Sequence, residues 1–196
     1  MNTDLKDFIY YRKNFLTKEY CKEVIRQIEN GNWQSHHWYN QRTDEIFDFS
    51  YGPKALKNSQ GYIDLPLDIE QTITSITDNL HPIIFEYIKD LNLEWFTGWE
   101  GYTEIKLLQY SKSQEMKTHC DHVRDIFEGE RKGIPIFSII GLLNEDYEGG
   151  KLIMFDREIK LNAGDLVIFP SNFLYPHKIS PVTDGVRYSY VSWGWQ

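Results

Sequence analysis

Apolar residues in the first half of the chain recur at helical spacing. Tyr20, Val24 and Ile28 lie four apart, with Cys21 and Ile25 beside them, so residues 17–31 carry one apolar face. Thr17 offers an N-cap hydroxyl before that stripe and Gly31 a stop after it. A longer stripe runs through Ile69, Ile73, Ile76, Leu80, Ile84, Tyr87, Ile88 and Leu91. It predicts a second helix that Pro82 should kink or divide, because proline has no N–H for the helical ladder. Residues 32–66 hold Trp33, His36, His37, Trp38 and Tyr39 with little periodicity. A long aromatic loop or a few short strands is expected there, placed to cover a site.

After Gly101 the period shortens. Apolar runs at 103–111, 133–144, 149–155, 163–170, 174–180 and 186–195 predict strands, and the connections NEDYEGG, NAG, PSN and TDG carry turn residues. Helices followed by many short strands read as an α+β chain: a double-stranded β-helix, or jelly roll, with N-terminal supporting helices. No repeat or linker divides the 196 residues. One domain is expected, with helical and loop support over 1–100 and the jelly-roll core over 101–196.

Composition narrows the function. The chain is 41% hydrophobic and 15% aromatic, enough for a core and an aromatic-lined pocket. Its formal charge of −8 argues against a phosphate-backbone binder, so no nucleic-acid partner is expected. The longest apolar run, 134–143, is too short to span a bilayer, and the first residues lack a signal-peptide core. Cys21 and Cys120 are too few for a disulfide framework. A cytoplasmic protein with no membrane partner is expected, its oligomeric state left open.

The stretch MKTHCDHVRDIF (116–127) holds His119, Asp121 and His122 within four positions. On a strand, His119 and Asp121 would share one face, with Cys120 and His122 on the other. Two histidines and one carboxylate are the ligand set of non-haem Fe(II) sites with open positions. His177 is the candidate third ligand. A hairpin centred near Val182 would set it opposite Arg187, whose planar fork suits a carboxylate. Ser189 would point the same way as Arg187, and Tyr110 offers a phenol from the strand before the HxD. Such a set could bind a metal, a bidentate 2-oxo acid and then O2.

Tyr110, His119-Cys120-Asp121, His177, Arg187 and Trp193 stand in order, Tyr110 nine residues before His119. Arg187 lies ten and Trp193 sixteen after His177. With LLNEDYEGGKLIMF and AGDLVIFP, the stretch 103–195 resembles the Fe(II)/2-oxoglutarate-dependent oxygenases of the prolyl 4-hydroxylase-like family. The resemblance implies Fe(II) on His119, Asp121 and His177. It implies 2-oxoglutarate as co-substrate, held by Arg187 with Tyr110 and Ser189, and O2 as oxidant, and it admits ascorbate as an accessory reductant. Trp193, Met116 and His122 are the candidate substrate-side residues, Trp193 being equally a candidate core filler, with Asp125 beside His122 at the rim. The implied substrate is a prolyl residue of a protein or peptide. Hydroxylation of a free amino acid or small metabolite is the alternative, and a non-catalytic jelly-roll binding module is the reading from another class. Peptide-acting members often carry an arginine where this chain has Pro135 or Ile136, with Lys132 as a substitute, and Met116 stands where the family often has tyrosine.

Overall fold

The structure, a computed structural model, describes residues 4–35, 38–40, 45–47, 52–56, 66–96, 98–122 and 134–195. His36, His37, Asp125 and Lys132, and with them much of the expected cover over 32–66, lie outside the described residues.

Two α-helices form where the apolar stripes lie, α1 (Lys18–Ile28) and α2 (Leu67–Leu91). Thr17 caps α1, its Oγ1 accepting from the Tyr20 N–H at 3.1 Å, and so satisfies one of the helix's free donors. Asn92 ends α2 in the left-handed conformation, φ 46°. Pro82 does not divide α2, which runs on as one helix with Pro82 on its exposed side. No described helix is long and apolar enough to cross a membrane.

The first hundred residues also hold strands β1 (Tyr10–Arg12), β2 (Trp33–Ser35), β3 (Trp38–Asn40), β4 (Glu45–Phe47) and β5 (Lys54–Leu56). From Gly101 follow β6 (Gly101–Tyr102), β7 (Lys106–Tyr110), β8 (Met116–His119), β9 (Pro135–Leu142), β10 (Tyr147–Gly149) and β11 (Leu152–Met154). Then come β12 (Arg157–Glu158), β13 (Leu166–Pro170), β14 (His177–Ile179), β15 (Val182–Gly185) and β16 (Arg187–Trp195). The larger sheet has the order β1-β13-β9-β16-β7-β5-β2, with β6 added on β16. The smaller has the order β12-β11-β14-β8, and β10 pairs with β15. All the pairings among the described residues are antiparallel.

Period-two alternation sorts the larger sheet's side chains into two cores. Leu107, Phe137, Ile139, Leu166, Ile168 and Tyr190 pack outward with Val24, Ile28, Ile73, Leu80 and Ile84 of the helices. Leu108, Ile140, Val167 and Phe169 point the other way and meet Met116, Leu152, Met154 and Ile179 of the smaller sheet. Burying each large aliphatic chain is worth roughly 1.5–3 kcal/mol, so the helices are held on one face while the other encloses the interior. Gly141 faces Tyr190 across the ladder, and a Cβ there would fall within the phenol ring.

Two readings of the sequence are corrected. Residues 182–185 are not a hairpin loop: they form β15, which pairs with β10. The chain therefore changes sheets after Ile179, and β14 pairs with β8 and β11 while β16 pairs with β7 and β9. His177 and Arg187 are not hairpin neighbours but come from opposite sheets. The second concerns placement: β2 and β5 are short strands of the kind expected over 32–66, but with β1 they extend the larger sheet.

Candidate metal centre

His119 ends β8 and His177 opens β14, and the two are direct cross-strand partners. Their ring centroids lie 4.4 Å apart. Each Nδ1 faces a backbone carbonyl, of Lys117 at 2.7 Å and of Tyr175 at 3.2 Å. A carbonyl only accepts, so Nδ1 carries the proton and Nε2 presents its lone pair. The His119 Nε2 is 3.2 Å from Oδ1 of Asp121, and the His177 Nε2 is 3.8 Å from Oδ2. One ligand atom from each of the three residues lies within 4.8 Å of the others.

Asp121 does not reach this point by strand alternation. Strand β8 stops at His119, and Asp121 lies in the bend beyond it. The His122 N–H donates to the Ser171 carbonyl at 2.9 Å and ties that bend to the end of β13. Two buried donors then hold the carboxylate by one oxygen. The Ser138 hydroxyl donates to Oδ2 at 2.7 Å, and Trp193 Nε1 donates to the same oxygen at 2.9 Å. The Ser171 hydroxyl backs that of Ser138 at 2.8 Å. Oδ1 stays directed toward His119.

Charge follows from this packing. Burial alone would raise the Asp121 carboxyl, but His177 and His119, with the Ser138 hydroxyl, hold it well below the usual carboxylate range. Burial lowers His177 and keeps it neutral against the field of Asp121. Burial also pulls His119 down, but the hydrogen bond and charge of Asp121 outweigh it and raise His119. An ionised carboxylate beside imidazole nitrogens with free lone pairs suits a divalent first-row metal.

Across the cavity from the two histidines stands Arg187, only 2% exposed. Its Nη1 donates to the Ser189 hydroxyl at 2.7 Å, and its guanidinium lies 5.1 Å from the centre of the Tyr110 ring. Register explains the grouping, since Arg187 pairs with Tyr110 and Ser189 with Leu108. Burial pushes the Tyr110 phenol up to about 12 against the charge of Arg187, so it stays protonated. No carboxylate among the described residues pairs with Arg187, and its Nε has no hydrogen-bond partner. A buried cation left this way is costly unless an anion joins it. The apolar side chains of Leu108, Ile140, Ile179 and Val191 line the same cavity.

The candidates read from the sequence divide accordingly. His119, Asp121, His177, Tyr110, Arg187, Ser189, Met116 and Trp193 all line one cavity. His122 does not: it is exposed, its Nδ1 3.2 Å from the Pro135 carbonyl. Trp193 is neither simple filler nor wall alone, because it grips Asp121. Ser138 and Ser171 were missed. The available signal was a serine inside the apolar run IPIFSIIGLL, since a buried hydroxyl needs a partner.

The model of the 2OG-Fe(II) oxygenase superfamily matches residues 105–195, which hold every one of these groups. Over these residues the chain is similar to the 2OG-Fe(II) oxygenase superfamily. Its relatives include a PKHD-type hydroxylase of Pseudomonas aeruginosa strain LESB58, 40% identical over 91 residues, 43% of this chain and 39% of that one. A PKHD-type hydroxylase of Xylella fastidiosa strain M12 is 49% identical over 53 residues, 25% of this chain and 22% of that one. The chain thus spans well under half the length of these relatives. The oxygenase fold is shared with a Pseudomonas putida prolyl-4-hydroxylase, TM-score 0.62 at 20% identity, over 96% of this chain and 92% of that one. It is shared too with a prolyl hydroxylase from Trichoplax adhaerens in complex with a hypoxia inducible factor peptide fragment, TM-score 0.67 at 19% identity, over 96% and 84%. Both are prolyl-hydroxylase-type jelly rolls.

Proposed function

We propose that the chain is an Fe(II)/2-oxoglutarate-dependent dioxygenase that hydroxylates an unactivated C–H bond, with a prolyl residue of a peptide or protein as substrate. One observation carries the reading: a buried Arg187 with no carboxylate partner among the described residues lines the same cavity as the convergent His119, Asp121 and His177. His119, Asp121 and His177 would hold the iron, each through one atom. Arg187, with Ser189 and Tyr110, would hold the far carboxylate of 2-oxoglutarate. Bound iron and co-substrate supply the oxidation: one O2, one 2-oxoglutarate and one C–H give succinate, CO2 and the alcohol. The chain needs no general base. Its residues fix ligand direction, neutralise the co-substrate's charge and keep the cavity walls apolar. Two unpaired thiols, Cys21 and Cys120, suit a reducing cytoplasm.

The prolyl substrate draws support from the PKHD-type hydroxylase relatives and from the peptide held by the Trichoplax adhaerens neighbour. A second reading, hydroxylation of a free amino acid or small metabolite, is favoured by β9. Pro135 and Ile136 stand where the resemblance calls for an arginine, and Ile136 packs on the helical core instead. A turnover screen separates the two. Proline-containing peptides and free metabolites are offered with 2-oxoglutarate, and succinate and substrate mass are read. A proline peptide that gains one oxygen and stimulates succinate formation supports the first reading. Stimulation by a free amino acid alone moves the assignment to the second.

A further inference from the structure

Arg187 borders two cavities. One is the interior just described; the other, about 390 Å3, opens outward beside Gly149 and Gly150 and carries Glu145, Glu148, Lys151 and Glu158. Glu145 is engaged by Lys18 at 2.7 Å and Glu158 by Lys151 at 3.1 Å. The exposed Glu148 has no ion-pair partner among the described residues. An outward turn of the guanidinium would bring it toward that carboxylate, in competition with Asp121 of the interior.

The backbone around Arg187 opposes this. Regular pairing of β16 with β9 reaches only to Ser189↔Leu142, leaving the start of β16 outside that ladder. Asn144, 8% exposed, takes over with its side chain. Its Nδ2 donates to the Val186 carbonyl at 2.7 Å, and its Oδ1 accepts from the Tyr188 N–H at 2.7 Å. Both peptide groups flanking Arg187 are thereby pinned by one amide, whose Nδ2 also donates to Asp146 at 2.6 Å. Gly150 guards the stem: a Cβ there would lie 3.0 Å from Cδ of Arg187.

We infer that Asn144 is a positioning residue for Arg187, holding the guanidinium toward the interior and away from Glu148, and so setting the affinity for the co-substrate's far carboxylate. The inference rests on the oxygenase reading above. It accounts for the Asn of LLNEDYEGG, since no other residue of that stretch hydrogen-bonds both flanks of Arg187 through its side chain.

The test is 2-oxoglutarate titration into the Fe(II)-loaded, anaerobic protein, followed by its visible charge-transfer band, with Fe(II) affinity and thermal midpoint measured alongside. Asn144→Ala should weaken 2-oxoglutarate binding by about tenfold, the equivalent of one or two lost hydrogen bonds. Fe(II) affinity should stay within about twofold, since Asn144 hydrogen-bonds none of His119, Asp121 and His177. In an Arg187→Ala background, Asn144→Ala should cost nothing further, and Glu148→Gln added to Asn144→Ala should recover part of the loss. If Asn144→Ala does not fold, Asn144→Asp, which keeps the acceptor for the Tyr188 N–H and loses the donor to the Val186 carbonyl, should show the same split between co-substrate and metal. Unchanged 2-oxoglutarate affinity, an equal loss in the Arg187→Ala background, or a parallel fall in Fe(II) affinity overturns the inference. Absence of the band in the unaltered protein is a separate result: it sinks the oxygenase reading and the inference with it.

Discussion

The indole nitrogen of Trp193 donates to Oδ2 of Asp121 at 2.9 Å, across 72 residues of sequence. That bond, with the one from Ser138, occupies one carboxylate oxygen and leaves the other turned toward His119. Asp121 sits beyond the end of its strand, so its direction depends on these donors rather than on the β8 backbone. The ring of Trp193 also lines the cavity, with Lys106 Nζ 5.7 Å from its centre.

Trp193→Phe keeps an aromatic ring and removes the donor. Loss of such outer partners costs roughly 10–100-fold in metal affinity. Trp193→Phe and Ser138→Ala should each weaken Fe(II) binding within that range, and the double variant more than either, as measured by anaerobic titration. Thermal midpoints should move little for Ser138→Ala, whose change in volume is small. Unchanged Fe(II) affinity in both would mean that Asp121 is held by its backbone.

Arg187→Ala should weaken 2-oxoglutarate binding by about 10- to 150-fold, the worth of a charge-assisted pair in a dry site. Fe(II) affinity should change little. Arg187→Lys should fall between, because it keeps the charge and loses the fork. Calorimetric titration of the metal-loaded protein measures both.

Metal binding should fall with pH. The hydrogen bond and charge of Asp121, outweighing burial, raise His119 above its usual pKa of 6.5, so in the metal-free protein a proton competes for its Nε2. His177, lowered by burial, and Asp121, held ionised, add no competition near neutrality. As pH drops through the raised His119 pKa, Fe(II) affinity should decline by about tenfold per unit, one proton being displaced per metal. A flat profile on the acid side of neutrality would show that no proton competes with the metal at His119, contrary to its raised pKa.

The triad and Arg187 were legible because their chemistry is carried by residue type and spacing. The strands were legible where alternation is long, as in β9 and β16. What failed depended on long-range pairing. The His177–Arg187 hairpin assumed that neighbours in sequence pair in space, but Val182–Gly185 is taken by β10. β1, β2 and β5 are three residues each, too short to show a period. The Asn144 clamp and the Ser138 bond join residues 42 and 17 apart through side-chain hydrogen bonds, which leave no periodic trace in sequence.

Fe(II) and 2-oxoglutarate added without oxygen to the purified chain test the whole site at once. One iron per chain and a visible charge-transfer band are expected, with the band abolished in His119→Ala and in His177→Ala while both variants stay folded. A wild-type chain without the band, or either histidine variant keeping it at full strength, would contradict the assignment of the metal centre.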